Sequence, residues 1–189
     1  MNLVAIDWGT SSLRGALLDA SGRVLDERSA PRGILSVPVG EFGTVFESLV
    51  GDWMRGPGHP RCLISGMAGS KQGWVEAPYC ACPAGRVEVG RSIIDIDVRP
   101  GSRIAIVPGL RDEHDGVPDV MRGEEVQIFG AMSIAGLDEG VFVLPGTHNK
   151  WATARKGRVA GFRTYMTGEF YALLSQHSIL ARTLDADAP

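Results

Sequence analysis

The chain carries 189 residues, 44% of them hydrophobic and 22% charged, with a net charge of −3. That size and composition fit an ordinary globular protein with one sizeable core, or one domain and part of a second. The near-neutral balance excludes a broad basic surface for nucleic acid, and the longest apolar runs, 104–108 and 141–145, are too short to span a bilayer.

Residues 3–7 form an apolar run that reads as a strand, followed by strands at 13–18 and 24–29. Asp19-Ala20-Ser21-Gly22 has the residues a tight connection wants. Strands this close in sequence are antiparallel neighbours, because a parallel pair needs a crossover of a dozen or more residues. Residues 41–54 place Phe42, Val45, Phe46, Leu49, Val50 and Trp53 at spacings of three and four, the mark of an amphipathic helix. Gly56-Pro57-Gly58 ends it. Residues 62–65 read as a buried fourth strand. Residues 66–102 are rich in Gly, Pro and Ala, resist assignment, and suggest a functional loop insertion around Gly69-Ser70-Lys71-Gln72-Gly73-Trp74. Another short buried strand is predicted at 103–107, a helix at 123–135 and a turn at 137–140.

After Gly140 the pattern starts again. A strand at 141–144 leads into a Gly146-Thr147 turn; strands at 151–154 and 159–165 are joined at Lys156-Gly157, and a helix covers 169–175. The order strand, Gly-Thr turn, strand, turn, strand, helix repeats the opening, and a repeat of this length is a fold-level signal. It predicts a complete domain over 1–138 and the start of a second, truncated one over 139–189. The three cysteines, Cys62, Cys80 and Cys82, are odd in number with no CxxC pair, as in a protein with reduced thiols in the cytoplasm. Two of them together fall short of a zinc site. The N-terminus has no basic segment ahead of a long apolar stretch, so no secretory signal is expected.

In Ala5-Ile6-Asp7-Trp8-Gly9-Thr10-Ser11-Ser12-Leu13-Arg14 an apolar strand delivers an aspartate into a tight polar turn. Such a turn aims successive N–H groups and hydroxyls at one anion, a nest for phosphate. Gly9 lets the backbone approach closely, and Asp7 is an oxygen ligand suited to Mg²⁺ directly or through its waters. The plainer alternative is a strand-end turn with Asp and Ser as local caps. Ser70, Lys71, Gln72 and Trp74 offer a cation, hydrogen-bond donors and an aromatic wall, a set that suits a sugar acid; Trp74 could equally be a packing anchor. Arg14 and Arg122 are carboxylate or phosphate partners, or structural ion pairs. His148 lies in the second Gly-Thr turn, where it touches a phosphate or caps the loop, and Lys150 is a phosphate cation or plain surface.

Asp7-x-Gly9-Thr10-Ser11-Ser12-x-Arg14 resembles the first phosphate motif of the carbohydrate kinases in the actin, Hsp70 and hexokinase superfamily. Leu144-Pro145-Gly146-Thr147-His148-Asn149-Lys150-Trp151 resembles the second. Gly66-Met-Ala-Gly-Ser70-Lys-Gln-Gly-Trp74-Val-Glu-Ala-Pro78, Val107-Pro-Gly-Leu110, Pro118-Asp-Val-Met-Arg122-Gly-Glu-Glu125 and Thr164-Tyr-Met-Thr-Gly-Glu169 are similar to the signature segments of the 2-dehydro-3-deoxygalactonokinase family. The resemblance covers nearly the whole chain.

That resemblance implies an α/β fold of ribonuclease-H-like, actin-type ATPase domains with mixed sheets flanked by helices, the first carrying a sugar-binding insertion. It implies transfer of the γ-phosphoryl group of ATP, with Mg²⁺, to the terminal hydroxyl of 2-dehydro-3-deoxy-D-galactonate. Gly9, Thr10, Ser11, Ser12, Gly146, Thr147, His148 and Lys150 would bind phosphate, Asp7 would serve the metal, and Arg14, Ser70, Lys71, Gln72, Trp74 and Arg122 would face the substrate. Phosphoryl transfer needs a carboxylate to take the hydroxyl proton. The segment Arg122-Gly123-Glu124-Glu125-Val126-Gln127 resembles the Gly-Asp-Gln segment of related sugar kinases and supplies Glu124, or Glu125 one residue on, with Asp119 in reserve. The alternative for the pair is first-turn acids favoured by a helix dipole. Family members are longer, so this chain is expected to bind ATP weakly, to lack kinase activity alone and to self-associate through an open sheet edge. Rival readings are another sugar kinase or a phosphatase of the superfamily, a sugar-binding regulator, and an inert fragment.

Overall fold

The structure is a computed structural model and describes residues 2–56, 58–98 and 103–183. Strands β1 (Leu3–Trp8), β2 (Leu13–Leu18) and β3 (Val24–Ala30) form the expected antiparallel meander. The helix α1 (Phe42–Met54) then crosses over, so β4 (Arg61–Gly66) returns parallel to β1. Pro57, in the expected helix stop, lies outside the described residues.

The 66–102 segment, unassigned from its composition, is structured over its described part. It holds β5 (Tyr79–Ala81), β6 (Ala84–Gly85), α2 (Arg86–Arg91) and β7 (Ile94–Ile96). Next, β8 (Ile104–Ile106) pairs parallel to β4 and antiparallel to β7. The sheet reads β3-β2-β1-β4-β8-β7. Alternation along β1 sends Val4, Ile6 and Trp8 into one core with Phe46, Val50 and Trp53 of α1. The other face of β1 carries Ala5 and Asp7.

A hairpin that the sequence reading passed over follows. β9 (Gly109–His114) and β10 (Val117–Met121) pair antiparallel, and β5 joins β9 in parallel. Its turn is Asp115-Gly116, with φ of 54° and 77°, the two positive values a two-residue hairpin turn needs. The helix α3 (Glu124–Ala135) leads to β11 (Gly140–Leu144), β12 (Asn149–Arg155) and β13 (Arg158–Tyr165), again an antiparallel meander. The last two strands meet at Lys156-Gly157, as expected. The chain then runs through α4 (Thr167–His177) into a short 3-10 turn at Ile179–Thr183.

The third sheet is ordered β11-β12-β13-β6, so a two-residue strand from the insertion completes it. A second core joins Leu110, Met121, Ile128 and Phe129 to Ala152 and Phe162, side chains from both sides of the 138/139 division. α4 buries no side chain, and Phe170, Tyr171, Leu173 and Leu174 stay exposed.

Gly130 sits inside α3, and a Cβ there would meet nothing within 4 Å. Gly130→Ala is expected to raise stability by about 0.5–1 kcal/mol through helix propensity and a less free unfolded chain. Urea titration reads this as a higher midpoint at unchanged slope.

Candidate active site

Asp7 stands near the end of β1, level with Arg14 on β2 and Ser65 on β4. All three line one cavity of about 550 Å³, which Gly123 and Gln127 of the α3 approach close from above. The turn after β1 is closed by the Gly9 N–H, which donates to Ser12 O at 2.9 Å. Thr10 and Ser11 are exposed and Ser12 half-buried. Behind the turn, Trp8 Nε1 donates to Arg32 O at 2.8 Å, and the Ile34 N–H donates to Gly9 O at 3.0 Å.

Two glycines bring α3 to this place. Gly66, with φ of 89°, ends β4, and a Cβ there would lie 2.8 Å from Trp8 O and 3.2 Å from Asp7 Oδ1. Gly123, with φ of 106°, precedes α3, and its Cβ would lie 3.2 Å from Gly66 Cα. Any side chain at either position would be strained and would push the helix off the strand.

The two glutamates that open α3 have different fates. Glu125 is fully buried, and its Oε1 and Oε2 accept the Gly123 N–H at 2.9 and 2.8 Å. Burial pushes its carboxyl from 4.5 up to about 7, the Gly123 hydrogen bonds opposing and the Glu124 charge adding to the rise. Glu124 is half-buried and accepts the Arg122 N–H at 3.0 Å. Of the two, Glu124 keeps access to solvent, while Glu125 caps its own helix.

The raised Glu125 carboxyl favours the protonated folded state. Its contribution to stability is complete below about pH 4.5 and is lost as pH rises through about 7. Glu125→Gln, neutral throughout, should remove that decline, gaining on the order of 3 kcal/mol at pH 8 relative to pH 4. Denaturant melts at both pH values check it; parallel wild-type and variant profiles would refute it.

Arg122 is buried beneath the loop that follows β4. Its Nη2 donates to Ala77 O at 2.8 Å and its guanidinium lies 4.2 Å from the Tyr79 ring centre. Its Nε and Nη1, and Ser70 Oγ, are buried without a partner among the described residues. Lys71 and Gln72 are exposed. Trp74 takes the packing role: its ring lies 5.9 Å from Trp8 and 5.6 Å from Phe46 in an aromatic cluster.

In the second turn, His148 Nε2 lies 2.8 Å from Glu169 Oε2, both side chains exposed. Gly146 and Thr147 pack against the first turn of α4, where the Glu169 N–H donates to Thr147 O at 3.2 Å. Lys150 is directed elsewhere. It is buried, and its Nζ donates to Val120 O at 2.5 Å and Thr164 Oγ1 at 2.6 Å, 3.7 Å from Asp119 Oδ1. The Thr164 hydroxyl in turn donates to Asp119 Oδ1 at 2.6 Å. Lys150 thus ties β10 to β12 and β13, and Asp119, the reserve base, is bound in the same network.

The structure therefore gathers Asp7, Arg14 and the α3 approach around one cavity and lays Gly69, next to Ser70, against the Arg122 guanidinium, where a Cβ would lie 2.8 Å from Nη1. Ser65 and Gln127 belong to the cavity and were missed. Ser65 was legible, because a strand parallel to β1 must end beside Asp7. Among the described residues no group of three or more His, Cys, Asp or Glu side chains could hold a metal. A single carboxylate with phosphate oxygens and waters nevertheless fits Mg²⁺, which keeps most of its water, and Asp7 is placed to provide it. No helix among the described residues is long and apolar enough to cross a membrane.

The mixed sheets flanked by helices place the chain in the actin-like ATPase fold class. It shares that fold with a Ppx/GppA phosphatase from Aquifex aeolicus, at a TM-score of 0.51 and 12% identity over 93% of this chain and 55% of that one. The sequence pattern of the 2-keto-3-deoxy-galactonokinase family matches residues 7–189, and the chain belongs to that family. It is 39% identical over 183 residues to a probable 2-dehydro-3-deoxygalactonokinase of Rhizobium meliloti (strain 1021), covering 95% of this chain and 58% of the relative. To the 2-dehydro-3-deoxygalactonokinase of Escherichia coli (strain K12) it is 37% identical, covering 96% and 59%. A crystal structure of a Sinorhizobium meliloti protein described as a 2-dehydro-3-deoxygalactonokinase matches at a TM-score of 0.88 and 37% identity, over 99% of this chain and 61% of that one. The chain thus spans about three fifths of the length of these relatives.

Proposed function

We propose that this chain serves an ATP-dependent kinase that phosphorylates the terminal hydroxyl of 2-dehydro-3-deoxy-D-galactonate to its 6-phosphate, in the degradation of galactonate in the cytoplasm. The observation that carries the reading is the cavity at the end of β1, where Asp7 and the glycine-delivered start of α3 meet, in a chain of this family. Residues 1–138 form the first domain and 139–189 the start of the second. Gly9, Thr10, Ser11 and Ser12 of the first loop, and Gly146, Thr147 and His148 of the second, hold the phosphates of the nucleotide. Asp7 holds Mg²⁺, which neutralises charge on the transferring phosphoryl group.

Glu124 accepts the proton of the substrate hydroxyl while the hydroxyl oxygen bonds to the γ-phosphorus and the bond from that phosphorus to the ADP oxygen breaks. Ser70 Oγ and the free Arg122 N–H groups supply donors for the sugar-acid end, with Lys71, Gln72 and Arg14 at the rim. Unpaired Nε and Nη1 donors on a buried guanidinium are costly, and a carboxylate is their natural partner. Alone, the 189-residue chain is proposed to bind Mg-ATP weakly, to turn over negligibly and to self-associate through β11, an edge strand of its sheet, because β11 and α4 present apolar side chains to solvent.

A coupled ADP-release assay on the full-length enzyme tests the function. A panel of 2-keto-3-deoxy acids, aldonates and polyphosphate separates a sugar-acid kinase from other members of the fold. Turnover with the galactonate-derived acid is expected, and turnover with polyphosphate alone would overturn the reading.

A further inference from the structure

In each repeat, the segment after the third strand closes on the Gly-Thr loop of that repeat in the same way. β3 ends at Ala30, and Gly33 comes three residues later. A Cβ on Gly33 would overlap Ser11 N and Thr10 O, and the next residue, Ile34, gives its N–H to Gly9 O at 3.0 Å. β13 ends at Tyr165, and Gly168 comes three residues later. A Cβ on Gly168 would lie 2.5 Å from Gly146 O and 3.0 Å from Thr147 Cα, and the next residue, Glu169, gives its N–H to Thr147 O at 3.2 Å. A side-chain tether accompanies each contact: Trp8 Nε1 to Arg32 O, and His148 with Glu169, both at 2.8 Å.

The backbone around the two glycines differs. Gly33 precedes a 3-10 turn, and Gly168 lies in the first turn of α4. Neither has a φ in the left-handed range, so neither conformation demands glycine. What they share is close approach: only a residue without Cβ lets the segment rest on the loop. We propose that Gly33 and Gly168 are paired positioning residues that set the two phosphate loops at the height where their N–H groups meet the nucleotide phosphates. The proposal rests on the reading of these loops as phosphate sites. A displacement of a few tenths of an ångström matters there, because donors aimed at phosphate act through fixed geometry.

The test is Gly33→Ala and Gly168→Ala in the full-length enzyme, with Gly130→Ala, which meets open space, as control. Each variant is expected to raise KM for Mg-ATP at least about fivefold with KM for the sugar acid within about twofold, a split that general destabilisation would not give. The control should match wild type. Glu169→Ala, at a half-exposed side chain, is the milder probe should an alanine variant fail to fold, and it should raise KM for Mg-ATP alone. Folded variants with wild-type KM for Mg-ATP overturn the proposal, as does an equal rise in both KM values. Calorimetric titration with Mg-ATP keeps the two readings apart. If wild type binds Mg-ATP but phosphorylates no sugar acid, and the variants lose that binding, the substrate assignment falls and the positioning role stands.

Discussion

In the full-length enzyme, Asp7→Asn should leave the melting temperature within a few degrees of wild type and lower kcat at least about a hundredfold, roughly 2.7 kcal/mol. The expectation has two sides. No group among the described residues hydrogen-bonds the Asp7 carboxylate, and its strand is secured by Val4, Ile6 and Trp8 on the opposite face, so the fold does not need the charge. Asn keeps the volume and one oxygen but loses the negative charge proposed to hold Mg²⁺ against the phosphates. Near-normal turnover by Asp7→Asn would remove Asp7 from the metal site.

In the full-length enzyme, Glu124→Gln should lower kcat by at least about tenfold, roughly 1.4 kcal/mol, with little change in the KM of either substrate. An amide cannot accept the hydroxyl proton, yet it fills the same space and can still accept the Arg122 N–H. Glu125→Gln is the paired control: it should move the pH dependence of stability and spare kcat. The reverse pattern would transfer the base to Glu125, whose carboxyl, pushed up to about 7, suits a base in titration if not in access.

Much of this was legible in the sequence because the relevant signals are local. The meander β1–β2–β3, the helix α1 and the second meander follow from short connections and apolar spacing, and the Gly-Thr turns follow from their place after the first strand of each repeat. The β9–β10 hairpin is equally local, announced by Asp115-Gly116, but its turn falls between the two segments that carry the resemblance, 107–110 and 118–125. What stayed hidden depends on which face of a strand is covered. Along β12 the alternation puts Lys150, Ala152 and Ala154 on one face and Trp151 on the other. The bulk of Trp151 suggests that its side is the core, yet Trp151 is 49% exposed and Ala152 fully buried. The hairpin and α3 approach from the alanine side, where small residues admit them, and Lys150 is carried inward with that face. Periodicity divides a strand into two faces; only the tertiary partner chooses between them. The β6–β13 pair, with Ala84 opposite Val159, is beyond local reading for the same reason.

The Lys150 network also has a meaning in time. Its hydrogen bonds reach Val120, 30 positions away, and Thr164, 14 away, and Thr164 then reaches Asp119 across 45. The hairpins β9–β10 and β12–β13 are each local, and such units form on their own in about 1–10 μs. Until they dock, the ammonium of Lys150 meets only its cross-strand neighbour Thr164 and water, and the bonds to Val120 and Asp119 of the other hairpin are unmade. Docking with the wrong register would dehydrate the charge without the Val120 carbonyl and the Asp119 carboxylate to receive it, at a cost of several kcal/mol. The buried lysine therefore acts as a proofreader of assembly, penalising near-native pairings of the two hairpins that apolar burial alone would accept.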